Sequence, residues 1–420
     1  MGKTAFFLRA YNDIDHIAPV IWKFVKAGDN PVVVFHTDID YENDYRIKFL
    51  MSEGEVQIFR FLDKEYVNYE KANRALYLRF LKRIYDQKRS TTTLIGRIYR
   101  RLLFDCSEQI TFFKNYDISK CVFEWNSPYF RGEMIEKFFK VAKGLGITTF
   151  CLPHGCNMFV HSDVAKSHRE MIKRGIVPDP SARNEYDYYI IQNPIRRDGF
   201  VKWGMNPIKT FAWGSARWCP EWQKINLEIC PSFSPKSKCD DLLKVVFMQY
   251  QADYNLEINE IWDTLSTIAE CDWVYLVIKD STRAGTQYYS NEFATRHGHS
   301  ERIELVGDEA HSPSLIKWSD CVVSFGSSIG MEVLMQNKPL INPTYLIKNR
   351  TLYERTGSSL TAENKDQVLS HLKKVFHDRS FSLPEISKKA LLREIVYGGL
   401  EEHDVLESYY RKIKTGNLMY

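Results

Sequence analysis

Short apolar runs alternate with amphipathic stretches along most of the chain. Residues 4–9 (TAFFLR) and 31–36 (PVVVFH) have the length of strands and few polar positions. Between them lie a polar turn, YNDIDH (11–16), and a stretch with apolar residues at helical spacing from about Ile17 to Ala27. Strand, helix and strand at this spacing predict a βαβ unit and hence a parallel sheet. Residues 56–60 (VQIFR) read as a third strand. Residues 66–115, rich in Tyr, Arg, Lys and Leu at helical spacing, read as two helices with basic outer faces. The alternation resumes with strands at 121–125, 148–153, 186–192 and 209–215. A helix over 131–146 ends at Gly144 or Gly146, and a short one is closed by Gly204.

Residues 216–241 change character. Pro220, Pro231 and Pro235 and three serines give turn chemistry, so the interdomain linker is placed here. A second series follows, with strands at 244–250, 274–280, 301–307, 321–325 and 338–343 and helices between them. Residues 362–376 and 383–412 read as helical. The expected organisation is an N-terminal Rossmann-like domain over 1–215, the linker 216–241 and a second Rossmann-like domain over 242–395. A C-terminal helix over 396–420 is expected to pack back on the first domain. In doubly wound sheets ligands sit outside the carboxyl ends of the strands, so the residues just after each strand are the candidates for chemistry.

Composition narrows the class. The 420 residues are 44% apolar and 26% charged, enough for two cores and unlike a disordered or fibrous chain. Lys and Arg total 57 against 53 Asp and Glu, a net charge of +4, too near neutral to argue for a nucleic-acid partner. Nine cysteines form no C-x-x-C pair and no zinc spacing, which points to a reducing compartment. The N-terminus lacks a long apolar core and a cleavage site, and no window approaches a membrane span, so a cytoplasmic protein is expected. The basic faces of 66–115 are either simply solvated or a contact with an anionic partner, such as a phosphorylated acceptor or the head groups of the inner membrane surface.

The densest candidate for chemistry is CVVSFGSSIGMEVLMQNKPLINP (321–343). A buried strand ends at Phe325, and Gly326-Ser327-Ser328 make a turn of small residues before a helix. A helix N-terminus and two hydroxyls can receive an anion. Glu332, four residues after Ser328, can face the same pocket and accept from ribose hydroxyls; alternatively the serines only cap the helix and Glu332 is solvated. His154-Gly155, directly after the strand 148–153, places an imidazole at a strand end, where it either donates to a phosphate, transfers a proton or packs structurally.

The run of strand, Ser-Ser, Glu332 and Lys338-Pro339-Leu340-Ile341-Asn342-Pro343 resembles the donor-site helix of GT-B glycosyltransferases. Within these it looks most like the surface-polysaccharide branch that includes Kdo transferases and teichoic-acid polyol-phosphate transferases. CLPHGCN (151–157), WGSARW (213–218) and VIKDSTRAG (277–285) agree with that branch in order, although Asp280 and Ser281-Thr282 replace its Pro and His. The resemblance implies a GT-B fold and transfer of a sugar from a nucleotide-activated donor to a carbohydrate or lipid-linked acceptor. No cofactor beyond the nucleotide-sugar co-substrate is implied. Gly214, Ser215, Arg217, Lys279, Arg283, Gly326, Ser327, Ser328 and Glu332 would bind the donor, with the basic groups neutralising the leaving phosphate.

The acceptor side is expected in the first domain. On the loop 11–16, Asp13 is the expected base, with Asp15, His16 and His154 behind it; either aspartate could instead cap the following helix. Asn12, Glu124 and Glu133 are the expected acceptor contacts. Asp13-Ile14-Asp15 and Asp38-Ile39-Asp40 have the spacing of metal-binding pairs but lie in the wrong domain for a GT-B donor, so no metal is expected. Alternatives on the same fold are a CDP-polyol phosphotransferase, a nucleotide-sugar epimerase and a non-catalytic nucleotide- or sugar-binding module.

Overall fold

The computed structural model describes residues 2–61, 106–124, 134–156, 158–160, 166–250, 254–280, 293, 295–297 and 300–416. The first sheet holds β1 (Lys3–Leu8), β2 (Val32–Phe35), β3 (Gln57–Arg60), β4 (Ile118–Glu124), β5 (Thr148–Leu152), β6 (Tyr188–Ile191) and β7 (Thr210–Ala212), in the order β3-β2-β1-β4-β5-β6-β7. The second holds β8 (Leu243–Met248), β9 (Val274–Lys279), β10 (Ile303–Val306), β11 (Cys321–Val323), β12 (Leu340–Pro343) and β13 (Leu360–Ala362), in the order β10-β9-β8-β11-β12-β13. Every pairing is parallel. The chain is thus α/β with two Rossmann-like domains, each reversing strand order beside its first strand. The crevices at β1/β4 and β8/β11 are where such sheets receive ligands.

The apolar runs form strands because helices cover both faces of each sheet. Ala5 to Leu8 and Val32 to Phe35 are all fully buried, which a one-sided sheet would not allow. One hydrophobic core runs from Phe6, Ile17 and Trp22 through Trp218 and Trp222 to Val246, Met331 and Tyr353, so the two domains share packing between their sheets. The outer face of each sheet has its own core.

Several boundaries differ from the pattern-based expectation. The helix expected from about Ile17 starts at Tyr11 and runs to Lys26, with Asp13 in its first turn rather than on a loop. Ile14 is fully buried with Ile17, Ala18 and Ile21, so the apolar face begins one turn early. The stretch 216–241 contains a helix, Pro220–Ile229, on which Trp222 is buried. The stretch 362–376 begins with β13 before its helix, Lys365–His377. The stretch 383–412 is two helices, Glu385–Ile395 and Val405–Thr415, parted at Gly398 and Gly399, both with positive φ. Of 66–115, the helix Ser107–Asn115 is described; residues 66–105 lie outside the described residues.

Besides the connection from β7 into β8, two further crossings among the described residues join the halves. The helix Val405–Thr415 lies on the helix Tyr11–Lys26: Lys23 pairs with Asp404 and Glu407, Lys414 pairs with Asp29, and Tyr409 donates to the carbonyl of Gly214 at 2.8 Å. In the other, the segment after His154 reaches the second domain. Phe159 bridges Thr351 in antiparallel fashion, Leu352 N–H donates to Met158 at 2.7 Å, and the Phe159 ring is buried in the second sheet's outer core.

Candidate functional site

The carboxyl edge of the first sheet gathers Arg9 after β1, His36 after β2, Glu124 at the end of β4 and His154 after β5. Asp13 joins them from the first turn of the adjoining helix. Its Oδ2 accepts the N–H groups of Arg9 and Ala10 at 2.7 and 2.8 Å, closing the strand-to-helix turn. The other carboxylate oxygen faces His154 Nδ1 at 3.4 Å, and Glu124 Oε2 accepts from the same nitrogen at 2.9 Å. Arg9 Nε lies 3.5 Å from Glu124 Oε1. Asp13 and Glu124 are fully buried, whereas the His154 and Arg9 side chains are 27% and 28% exposed. The two carboxylates therefore form a floor, and the cations above it face outward.

The electrostatics follow from this layering. Burial alone would pull the His154 pKa down. The hydrogen bonds and charges of Asp13 and Glu124 outweigh burial and hold it at about 9, so His154 is an imidazolium at neutral pH. His36 is the opposite case. Burial, assisted by Arg9 and opposed by Asp13, lowers its pKa to about 4 and keeps it neutral. Oxygens of Asp13 and Glu124 and Nδ1 of His154 lie within 4.8 Å of one another, a spacing that can hold a cation. The imidazolium and Arg9 already balance the two carboxylates there.

At the second sheet, the loop after β11 carries Gly326, Ser327 and Ser328, and the helix Gly330–Met335 carries Glu332. Gly326 has φ +77, and a Cβ there would meet the Phe159 ring at 2.7 Å, so the turn needs glycine. Ser327 Oγ accepts from Ile329 N–H at 3.3 Å, and both serines are partly exposed. Glu332 is 1% exposed, not solvated. Its Oε1 accepts from Arg217 Nε and Nη2 at 2.9 and 2.6 Å, while its Oε2 is buried without a partner. Arg217 Nη1 reaches back to Asp15 Oδ2 at 3.1 Å, and Arg46 pairs with Asp15 Oδ1 and with Asp44.

The other expected residues fall as follows. His16 is buried edge-on against Trp218, with ring centroids 5.5 Å apart, and is not in the His154 cluster. Asn12 is partly exposed on the same helix. Arg217, expected to neutralise a leaving phosphate, spends Nε and both terminal nitrogens on carboxylates. Lys279 is buried at the end of β9, donating to the carbonyl of Gly307, and burial lowers its pKa. Gly214 is packed against the C-terminal segment: its φ is +82, and a Cβ would overlap the carbonyl oxygen of Val396. Ser215 N–H donates to that same oxygen at 3.0 Å. Glu133 and Arg283 lie outside the described residues.

Sequence patterning missed Arg9, His36 and Arg46. The first two were legible as the residues immediately after β1 and β2, but reading each strand one residue too long absorbed them. Arg46 follows a capping aspartate and carries no motif. It is placed by the packing of the helix Tyr45–Glu53 on the helix Tyr11–Lys26, which brings it to Asp15, while the neighbouring Tyr45 ring meets that of His311 in the second domain at 4.9 Å.

These two opposed Rossmann-like domains define the GT-B fold. No family model and no curated protein matches the chain. Solved structures match all or nearly all of its length. Staphylococcus aureus MnaA bound to UDP is 13% identical, with 100% of this chain and 98% of that one covered and a TM-score of 0.59. UDP-GlcNAc 2-epimerase from Methanocaldococcus jannaschii is 12% identical over 93% of this chain and 98% of its own, with a TM-score of 0.55. The ligand-free lipopolysaccharide outer core galactosyltransferase WaaB is 11% identical over 99% of both chains, with a TM-score of 0.51. At these identities the likeness is one of fold. Among the described residues no helix is long and apolar enough to cross a membrane.

Proposed function

We propose that the chain is an enzyme acting on a nucleotide-activated sugar, and that it transfers the sugar to a carbohydrate acceptor in surface-polysaccharide synthesis. The observation that carries this reading is the pairing of two buried acid sites at the ligand-receiving edges of the two sheets. Glu332, with one oxygen unpartnered, stands on the second, and the Asp13/Glu124 floor beneath His154 stands on the first. Its solved-structure neighbours include a UDP complex, a UDP-GlcNAc 2-epimerase and a galactosyltransferase, which agrees with a nucleotide-sugar site.

In this reading Glu332 Oε2 accepts from a ribose hydroxyl, and Ser327 and Ser328 lie where they can donate to phosphate. Asp13 is too buried to be the base that meets the acceptor. His154 meets it and acts as base only in its deprotonated fraction, which the two carboxylates keep small until pH approaches about 9. Glu332→Gln is expected to lower nucleotide affinity ten- to a hundredfold, the loss of about 1.5–3 kcal/mol for a hydrogen bond to a charged group. Unchanged affinity in titration calorimetry removes Glu332 from the donor site.

A second reading, epimerisation of the nucleotide-sugar itself, is favoured by one observation: two buried carboxylates face His154 Nδ1 at 2.9 and 3.4 Å, which favours its protonated, acid form. The two readings separate in the pH profile. A base for acceptor deprotonation gives kcat/KM rising with pH to about 9, and an acid gives it falling there. Conversion of the sugar without acceptor, with solvent deuterium entering a C–H bond, marks epimerisation. Nucleotide release that requires acceptor marks transfer.

A further inference from the structure

Arg217 lies in the crossing between the domains, after β7 and before the helix Pro220–Ile229. Its side chain is 11% exposed, with the guanidinium carbon 5.5 Å from the Trp218 ring centroid. Nε and Nη2 hold Glu332 Oε1, and Nη1 faces Asp15 Oδ2. Arg46 holds the other oxygen of Asp15. Glu332 belongs to the second domain. Asp15 belongs to the helix whose first turn carries Asp13, so one planar cation ties the two candidate subsites together.

The geometry fixes what this cation can do. Nε–H and Nη2–H converge on Oε1 of Glu332, so that oxygen is held at the guanidinium and the unpartnered Oε2 is the one left to meet a ligand. A lysine would supply the charge without the fork. The Asp15 contact in turn keeps the guanidinium from rotating about its own stem. We propose that Arg217 is a positioning residue that aims Glu332 at the donor nucleotide and carries donor occupancy to the helix bearing Asp13 and Asp15. This rests on the donor reading given above. By linkage, a change on the Asp15 side must then alter nucleotide affinity on the Glu332 side.

The test titrates uridine, cytidine, adenosine and guanosine diphosphates into the wild type and follows the one bound best. The same titration is run on Asp15→Asn, Glu332→Gln, the double variant and Arg217→Lys. Asp15 is 26% exposed on a helix surface and lies outside the Glu332 carboxylate's own contacts, so its Asn variant keeps the fold; thermal melting checks this. Asp15→Asn is expected to weaken nucleotide binding about fivefold, with no further loss in the Glu332→Gln background, a coupling at the low end of the usual range. Arg217→Lys is expected to reproduce the loss. Wild-type affinity in Asp15→Asn, or an equal loss in both backgrounds, overturns the positioning role while the donor reading stands. A wild type that binds none of the four nucleotides takes down the donor reading and this role with it.

Discussion

His154 Nδ1 and Glu124 Oε2 lie 2.9 Å apart across 30 residues of sequence, because β4 and β5 are adjacent parallel strands and both residues sit at their carboxyl ends. Asp13 approaches the same nitrogen from the neighbouring helix. One imidazole thus balances two buried carboxylates with the help of Arg9, and most of the behaviour expected of the first domain follows from that arrangement.

The His154 pKa is raised from an unfolded value near 6.5 to about 9. Its contribution to stability is therefore complete below about pH 6.5 and is lost as pH rises through about 9. Urea midpoints measured from pH 6 to 10 should fall over that window in the wild type, and more weakly in His154→Gln. Glu124→Gln and Asp13→Asn should each move the imidazole titration seen by NMR toward neutral pH. An imidazole that titrates near 6.5 in the wild type would show that the carboxylate floor does not set its charge.

His36 should impose the opposite slope. Its folded pKa, about 4, lies below the unfolded value, so the unfolded chain binds the proton more readily. Stability is present above about pH 6.5 and is lost as pH falls toward 4. His36→Gln should flatten the acid limb of the stability profile between those values. Identical acid limbs in the two proteins would assign the loss to other groups.

Gly214→Ala should destabilise the chain strongly, since it combines a positive-φ position with overlap on the Val396 carbonyl. Left-handed strain alone costs about 1–3 kcal/mol. Displacing the 396–399 segment from Gly214 adds to that. Gly28→Ala is the control: its φ is +79 but nothing lies within 4 Å of the added carbon, so it reports the strain alone. Equal urea midpoints for the two variants would show that the C-terminal segment is not held at Gly214.

Activity on a nucleotide-sugar is expected to survive EDTA, with His154 and Arg9 balancing Asp13 and Glu124 and the Ser327-Ser328 turn donating to phosphate. Loss in chelator with recovery in Mn²⁺ would instead place an ion among Asp13, Glu124 and His154, whose ligand atoms are close enough to hold one.

The apolar runs by themselves determined most of the strands and their parallel arrangement, because strands covered on both faces must be apolar throughout and need crossover helices between them. The rule that ligands meet the carboxyl ends of such strands also led from sequence to Glu124, His154, Lys279 and the 326–328 turn. Tertiary structure decided the rest. Asp13 went into the first turn of a helix because Ile14 packs with Ile17 and Ile21, and there its carboxylate is used on backbone N–H groups and on His154. Arg217 and Arg46 were ordinary charges in the sequence. Arg217 became the buried partner of both Asp15 and Glu332 because the two domains pack against each other, and Arg46 became that of Asp15 because two helices of the first domain do. Gly214 matched a motif in the sequence, and only the fold showed that the returning C-terminal segment packs against it. Which residues follow a strand is a local matter that periodicity records. Which charges end up buried together depends on contacts between elements from about thirty to two hundred residues apart, and no local pattern encodes them.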